Sequence, residues 1–62
     1  MGEIIIPKFK IGDKIKNKKT NKIYTVDLIL YMGEKICCYK ITDNENLKSS
    51  LYTEFEDEYE LI

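Results

Sequence analysis

Polar turn residues interrupt this sequence at roughly the spacing of 8 to 12 residues that is typical of a small all-β sandwich or barrel. Glycine permits backbone conformations that a side chain obstructs, and aspartate and asparagine favour turns through their side-chain hydrogen bonds. The interruptions are Gly12-Asp13, Thr20-Asn21, Met32 to Glu34 and Asp43 to Asn46. The runs between them are rich in β-branched and aromatic residues, which favour strands. The chain is therefore expected to be all-β.

Five strands are predicted from alternating polar and apolar residues. In the first, Ile15 is expected to face inward and Lys14 and Lys16 outward. An acidic segment, residues 54–59, is predicted to form one turn of 3₁₀-helix before the last strand, with Phe55 tucked inward. The predicted strands span residues 13–17, 23–32, 35–42, 47–53 and 59–62.

The longest predicted strand, residues 23–32, carries apolar side chains at both parities. Such a strand needs a bulge or a strong bend, which we expect near Asp27. The bulge would change the inward-facing set from Tyr24 and Val26 to Ile29 and Tyr31. In residues 35–42, either Ile41, Tyr39 and Cys37 or Ile36 and Cys38 would face the core, and alternation alone does not choose between the two sets.

Residues 1–8 are predicted to be an N-terminal extension or edge strand that precedes a domain at 9–62. The extension contains Ile4, Ile5 and Ile6, followed by Pro7, a residue that ends strands. Three exposed isoleucines in a row would favour aggregation, so we expect them to pack on the domain or on a second copy of the chain. A homodimer through Ile4, Ile5 and Ile6 is the second of these alternatives.

Several short motifs resemble one family of proteins. They are Phe9 to Ile15 (FKIGDKI), Lys22 to Val26 (KIYTV) and Tyr59 to Ile62 (YELI), the last preceded by an acidic turn. This pattern resembles the small SH3-like β-barrel proteins of phages and prophages of low-GC Gram-positive bacteria. The Gly-Asp opening is shared with KOW-like barrels, so the resemblance implies an SH3-like barrel of about five strands more than it implies a function. The family's turn glycine between the first two strands is replaced by Thr20-Asn21, and the Ile4 to Ile6 extension falls outside the pattern.

The composition argues against catalysis and against a metal site. The chain has no histidine, and its two cysteines, Cys37 and Cys38, are adjacent. Adjacent cysteines bridge poorly because of disulfide geometry, and their spacing is not that of a zinc site. Without histidine, no usual pair of nucleophile and base can be assembled. We therefore expect reduced thiols, no cofactor, no metal and no enzymatic activity. The apolar runs are too short to span a bilayer, so a soluble cytoplasmic protein of the host cell is expected.

Charge is divided between the two halves of the chain. Residues 1–24 carry a net charge of +5 and residues 25–62 a net charge of −6. The basic half contains a lysine hairpin, defined here as Lys14, Lys16, Lys18, Lys19 and Lys22. These side chains could follow a phosphate backbone while Tyr24 or Tyr31 stacks on a base, although the absence of arginine disfavours sequence-specific recognition. The two halves could equally neutralise each other on one surface.

The acidic half ends in a run of carboxylates with aromatic residues between them. Such a surface suits a basic groove on another protein, and tyrosine is common in interfaces. The leading hypothesis is a non-catalytic binding module that inhibits a host or defence protein. Nucleic-acid or nucleotide binding through the lysine hairpin, and a structural role as a phage accessory protein, are the alternatives. The predicted protein-binding residues are Tyr52, Glu54, Glu56, Asp57 and Glu58.

Overall fold

The computed structural model describes residues 7–62 and contains five antiparallel strands in one sheet. The strands are β1 (Lys14–Asn17), β2 (Ile23–Met32), β3 (Lys35–Asp43), β4 (Lys48–Tyr52) and β5 (Tyr59–Leu61). A 3₁₀-helix, Thr53–Glu58, joins β4 to β5. The predicted all-β fold with a 3₁₀ segment before the last strand is therefore confirmed.

The strand order across the sheet is β4-β3-β2-β1-β5. Strands β4 and β5 lie at opposite edges, and no ladder joins them within residues 7–62. Closure into an SH3-like barrel thus stays a prediction. The predicted packing and dimer contacts of Ile4, Ile5 and Ile6 lie outside the described residues.

The Gly-Asp corner before β1 is fixed by both of its residues. Gly12 has a φ of +93°, which a residue with a side chain rarely adopts. The Asp13 carboxylate accepts a hydrogen bond from the Lys10 N–H at 2.9 Å. The Gly12 N–H donates to the Val26 carbonyl at 2.8 Å, and the Val26 N–H donates to the Asp13 carbonyl at 2.9 Å. The corner is therefore tied directly to β2.

Asparagine replaces glycine in the turn between β1 and β2. Asn21 has a φ of +64°, in the left-handed region that asparagine tolerates better than most residues. The Asn17 side-chain oxygen accepts hydrogen bonds from the N–H groups of Lys19 and Thr20, at 2.8 and 3.1 Å. The Asn21 N–H closes the turn on the Asn17 carbonyl at 2.7 Å. The turn predicted at Thr20-Asn21 is therefore confirmed.

Two β-bulges interrupt the long β2–β3 hairpin. The register steps from Val26 opposite Ile41 to Leu28 opposite Lys40, which leaves Asp27 as the extra residue of β2. A second shift makes Cys37 the extra residue of β3, because Leu30 pairs with Cys38 and Tyr31 with Ile36. The bulge predicted near Asp27 is confirmed.

Beyond the first bulge, Ile29 and Tyr31 share the predicted inward face, but only Ile29 is covered by the core. Ile29 packs against the core as expected. Tyr31 lies opposite Ile36, which packs against the core, so it shares the inward face, but its side chain is exposed near the end of the hairpin.

One core cluster draws on the first four strands and on the segment before β1. The rings of Phe9 and Tyr39 meet edge to face with centroids 5.5 Å apart. Burying each such side chain contributes about 1.5–3 kcal/mol. The predicted inward position of Ile15 is confirmed, whereas Phe55, predicted to be tucked inward, is exposed on the 3₁₀-helix. The cluster contains Phe9, Ile15, Val26, Tyr39, Ile41 and Leu51.

Strand β3 buries residues on both of its faces. Tyr39 and Ile41 belong to the core cluster. Cys38 is also buried, but its alternation with Tyr39 places it on the opposite face of the sheet. Neither predicted set is complete. Tyr39 and Ile41 from the first set lie in the core, and Ile36 from the second packs against it, because Cys37 is the extra residue of the bulge.

Candidate functional site

The acidic residues predicted to bind a partner are partly engaged within the chain. The Glu56 carboxylate accepts a hydrogen bond from the Tyr39 hydroxyl at 2.9 Å. The same hydroxyl accepts from the Lys8 N–H at 3.1 Å. Burial raises the pKa of Tyr39, and the Glu56 hydrogen bond raises it further. Glu56 therefore serves to attach the 3₁₀-helix to the core.

Among residues 7–62, three ion pairs join the basic half of the chain to the acidic half. Lys8 pairs with Asp57 at 3.0 Å. The other two pairs, at 3.4 and 3.8 Å, are Lys16 with Glu60 and Lys19 with Glu58. Exposed pairs of this kind contribute little to stability, so their main effect is on surface charge. At these positions the two halves neutralise each other and do not form separate patches.

The lysine hairpin offers fewer free charges than its sequence suggests. Lys16 and Lys19 are paired with carboxylates, whereas Lys14, Lys18 and Lys22 have no ion-pair partner among residues 7–62. Tyr24, one of the two predicted stacking residues, is half-buried, and its ring packs edge to face on Tyr59 with centroids 5.8 Å apart. The hairpin thus has three lysines without an ion-pair partner among residues 7–62, and the Tyr24 ring packs on Tyr59 and is not free to stack on a base.

A more continuous surface lies on the outer face of β2, β3 and β4. Residues directly opposite each other on neighbouring strands share a face of the sheet. The register gives three outward rows, which define the outer face: Leu30–Cys38–Tyr52, Leu28–Lys40–Ser50 and Thr25–Thr42–Lys48. The surface changes from apolar to polar across these rows.

The apolar side chains of this face are strongly exposed. Leu28 is 53% exposed, Leu30 39%, Tyr52 50% and Met32, farther along the same face of β2, 73%. Leu30 and Tyr52 lie directly opposite Cys38 on the two neighbouring strands, and Cys38 is only 4% exposed. Burial raises the pKa of the Cys38 thiol, and the neighbouring Cys37 raises it further, so the thiol stays protonated near neutral pH and is a poor nucleophile.

The Asp27 bulge creates this exposed surface. Val26, Leu28 and Leu30 have the same sequence parity, and without a bulge all three would face the core. The extra residue reverses the alternation, so that Leu28 and Leu30 face outward while Ile29 faces inward. Neither leucine was predicted as a site residue, although the predicted bulge contained the signal that would have identified them.

The polar side of the outer face holds two lysines. The Lys40 ammonium donates a hydrogen bond to the Ser50 hydroxyl at 2.7 Å. The Thr42 hydroxyl donates to the Asp27 carboxylate. An open cavity of about 310 Å³ lies here, lined by Asp27, Leu28, Lys40, Lys48, Ser49 and Ser50. The site thus combines apolar contact area, hydroxyl groups and positive charge.

Two further findings concern the described part of the chain. No group of three or more Cys, Asp or Glu side chains in residues 7–62 is arranged to hold a metal ion. No helix in the same range is long and apolar enough to cross a membrane. Comparison of the chain with protein-family models, with curated proteins and with solved structures gave no match in any of the three.

Proposed function

We propose that this chain is a non-catalytic protein-binding module, encoded by a phage, that inhibits a host or defence protein in the host cytoplasm. In this proposal the sheet curves into an SH3-like barrel. The phage origin rests on the motifs Phe9 to Ile15, Lys22 to Val26 and Tyr59 to Ile62. The inhibitory role rests on exposed aromatic and acidic side chains, such as Tyr52 and Glu54, that suit a groove on another protein.

The barrel proposal is supported by the single core. Strands β1 to β4 all contribute to one buried cluster, as a sheet that curves around its own interior would. The 3₁₀-helix contacts β3, β4 and β5, and so spans the gap between the two edge strands. Closure by a short connecting segment would complete a small barrel.

One observation carries the binding proposal: the apolar side chains of the outer face are exposed and adjacent. Contiguous exposed apolar residues with a polar rim are typical of protein interaction sites. Tyr52, one of the residues predicted from the sequence to bind protein, lies in the apolar row, and tyrosine is a frequent source of binding energy in interfaces.

The acidic residues have a smaller part in this proposal than in the sequence-based one. Glu56, Asp57 and Glu58 already contact Tyr39, Lys8 and Lys19. Glu54 is exposed and lies next to the end of β4, so it is the carboxylate best placed to extend the binding surface around Tyr52.

The proposal is tested by capture of a partner from host lysate and by affinity measurement with the purified partner. We expect Leu30→Lys and Tyr52→Ala to weaken binding about tenfold or more, because truncation of a central interface residue commonly costs at least that much. Ile62→Lys is the matched control, since Ile62 is an exposed apolar residue outside the outer face. Equal affinity of the original chain and the three variants, each shown to be folded by circular dichroism, would contradict the proposal.

The rival function, nucleic-acid or nucleotide binding, would rest on Lys14, Lys18 and Lys22. Phosphate contacts weaken steeply with added salt. Retention on a nucleic-acid column that falls with salt and is lost in Lys18→Glu would support the rival function. Absence of retention at low salt would exclude it.

A further inference from the structure

Strand β4 forms one edge of the sheet, and no strand within residues 7–62 pairs with its outer side. An edge strand presents backbone N–H and C=O groups that can pair with a strand from another chain. Recognition by strand addition uses these groups for affinity and the side chains of alternate residues for specificity. The edge of β4 is therefore a second binding element, continuous with the outer face.

The side chains along this edge define what an added strand would meet. Lys48, Ser50 and Tyr52 share the outer face because side chains alternate along a strand. A strand added to β4 places its own alternate side chains directly opposite these three. The required sequence can thus be deduced position by position.

Charge identifies the residue opposite Lys48. Lys40 and Lys48 have no carboxylate ion-pair partner among the described residues, unlike Lys8, Lys16 and Lys19. Asp27, the acidic residue among those lining the cavity, already accepts a hydrogen bond from the Thr42 hydroxyl. A carboxylate brought by the partner would therefore meet Lys40 and Lys48, which line the same cavity and have no carboxylate partner among residues 7–62.

We propose that the partner contributes an extended segment that pairs antiparallel with β4 and carries an acidic side chain opposite Lys48. This inference rests on the proposed protein-binding function and specifies the chemistry of the partner. The segment has the pattern apolar-x-small-x-acidic. Its apolar residue packs on Tyr52, and its small or hydroxyl residue lies opposite Ser50. Antiparallel pairing matches every other pair in the sheet.

The first test uses the blocked peptide acetyl-Phe-Val-Thr-Val-Glu-amide and the ¹⁵N-labelled full chain. We expect saturable shifts of the amide signals of Lys48–Tyr52, with a Kd of about 1 mM or tighter. The matched peptide ending in glutamine should bind up to about fivefold more weakly, as expected for loss of an exposed ion pair. The Lys48→Gln variant should show the same loss with the glutamate peptide and no additional loss with the glutamine peptide.

The second test separates strand addition from simple side-chain contact. In an antiparallel ladder, only alternate residues of one strand direct their N–H groups toward a given neighbour. N-methylation of the first, third and fifth peptide residues, or of the second and fourth, should therefore abolish binding in one case and preserve it in the other. Binding that tolerates both patterns, or that shifts signals away from β4, would overturn the inference.

The remaining outcomes distinguish this inference from the proposed function. If a purified partner binds through Leu30 and Tyr52 but the peptide does not bind, strand addition is wrong and the proposed function stands. If host lysate yields no partner whose binding depends on Leu30 and Tyr52, and the peptide does not bind either, the proposed function and strand addition are both wrong. A dimer in sedimentation together with concentration-dependent amide shifts at Lys48–Tyr52 would also overturn the inference, because a second copy of the chain would then cover β4. So would a single-stranded DNA oligonucleotide that binds the same edge more tightly than the peptide.

Discussion

Tyr39 joins the core to the 3₁₀-helix through two hydrogen bonds of its hydroxyl group. The ring lies in the buried cluster against Phe9, while the hydroxyl donates to Glu56 and accepts from the Lys8 N–H. A buried hydroxyl is costly unless it is hydrogen-bonded, and here both partners come from segments far away in sequence. One side chain thus fixes both the start of the described chain and the turn that precedes β5.

We predict that Tyr39→Phe lowers the free energy of unfolding by about 1–2 kcal/mol, because the Lys8 N–H and the Glu56 carboxylate lose their partner. Urea denaturation checks this value. Tyr31→Phe is the control, since the Tyr31 side chain is exposed, and its effect should be close to zero. A Tyr39→Phe variant as stable as the original chain would show that the hydrogen bonds have no net effect.

The raised pKa of Tyr39 also predicts a loss of stability at alkaline pH. Folding favours the protonated hydroxyl, so this contribution is complete below the ordinary tyrosine pKa of about 10 and is lost as the pH rises through the raised pKa of the folded state. Denaturation midpoints measured between neutral pH and pH values above about 10 should fall less in Tyr39→Phe than in the original chain. Parallel pH curves for the two proteins would contradict this explanation.

The β1–β2 turn shows how an element depends on one backbone conformation. Asn21 adopts a left-handed conformation that costs most other residues about 1–2 kcal/mol. We predict that Asn21→Ala destabilises the chain by about 1 kcal/mol, whereas Asn21→Gly changes its stability by only a few tenths. Thermal denaturation measures both. Asn44→Ala, in a turn position without a positive φ, is the control, and equal effects at positions 21 and 44 would refute the conformational argument.

Most elements were predictable because their signals are local. Alternation around Ile15, the Gly12-Asp13 corner and the Thr20-Asn21 turn each depend on residues close in sequence, and all three agree with the structure. The bulge at Asp27 was also predictable, because a strand with apolar residues at both parities cannot bury them all from one face.

The rest of the site depends on contacts between distant strands. Cys38 is buried on the outer face because Leu30 and Tyr52 flank it, and these neighbours are fixed only by the register of two ladders. Likewise, Glu56 and Asp57 appear free in the sequence and are engaged only once Tyr39 and Lys8 are brought to them. Only part of the predicted acidic site is therefore free to contact a partner.

At the scale of the whole molecule, the ion pairs and the apolar row of the outer face lie on different elements, although single apolar side chains such as Phe55 and Leu61 are exposed near the ion pairs. The ion pairs between the two halves lie on β1, β5 and the 3₁₀-helix and in the segments next to them. The exposed apolar row lies on β2 and β4. A chain of this length buries only about 60% of its potential surface, so apolar residues without a role in the core represent a substantial loss of possible stability. Their exposure is accounted for if a partner covers them.

The most direct test of this account is a nuclear magnetic resonance map of the labelled full chain with its purified partner. The account predicts that the signals of residues 28–32 and of Lys48–Tyr52 change on binding, while those of residues 14–22 do not. Changes confined to residues 14–22 or to Thr53–Glu58, with β2 and β4 unaffected, would contradict the assignment of the outer face as the binding surface.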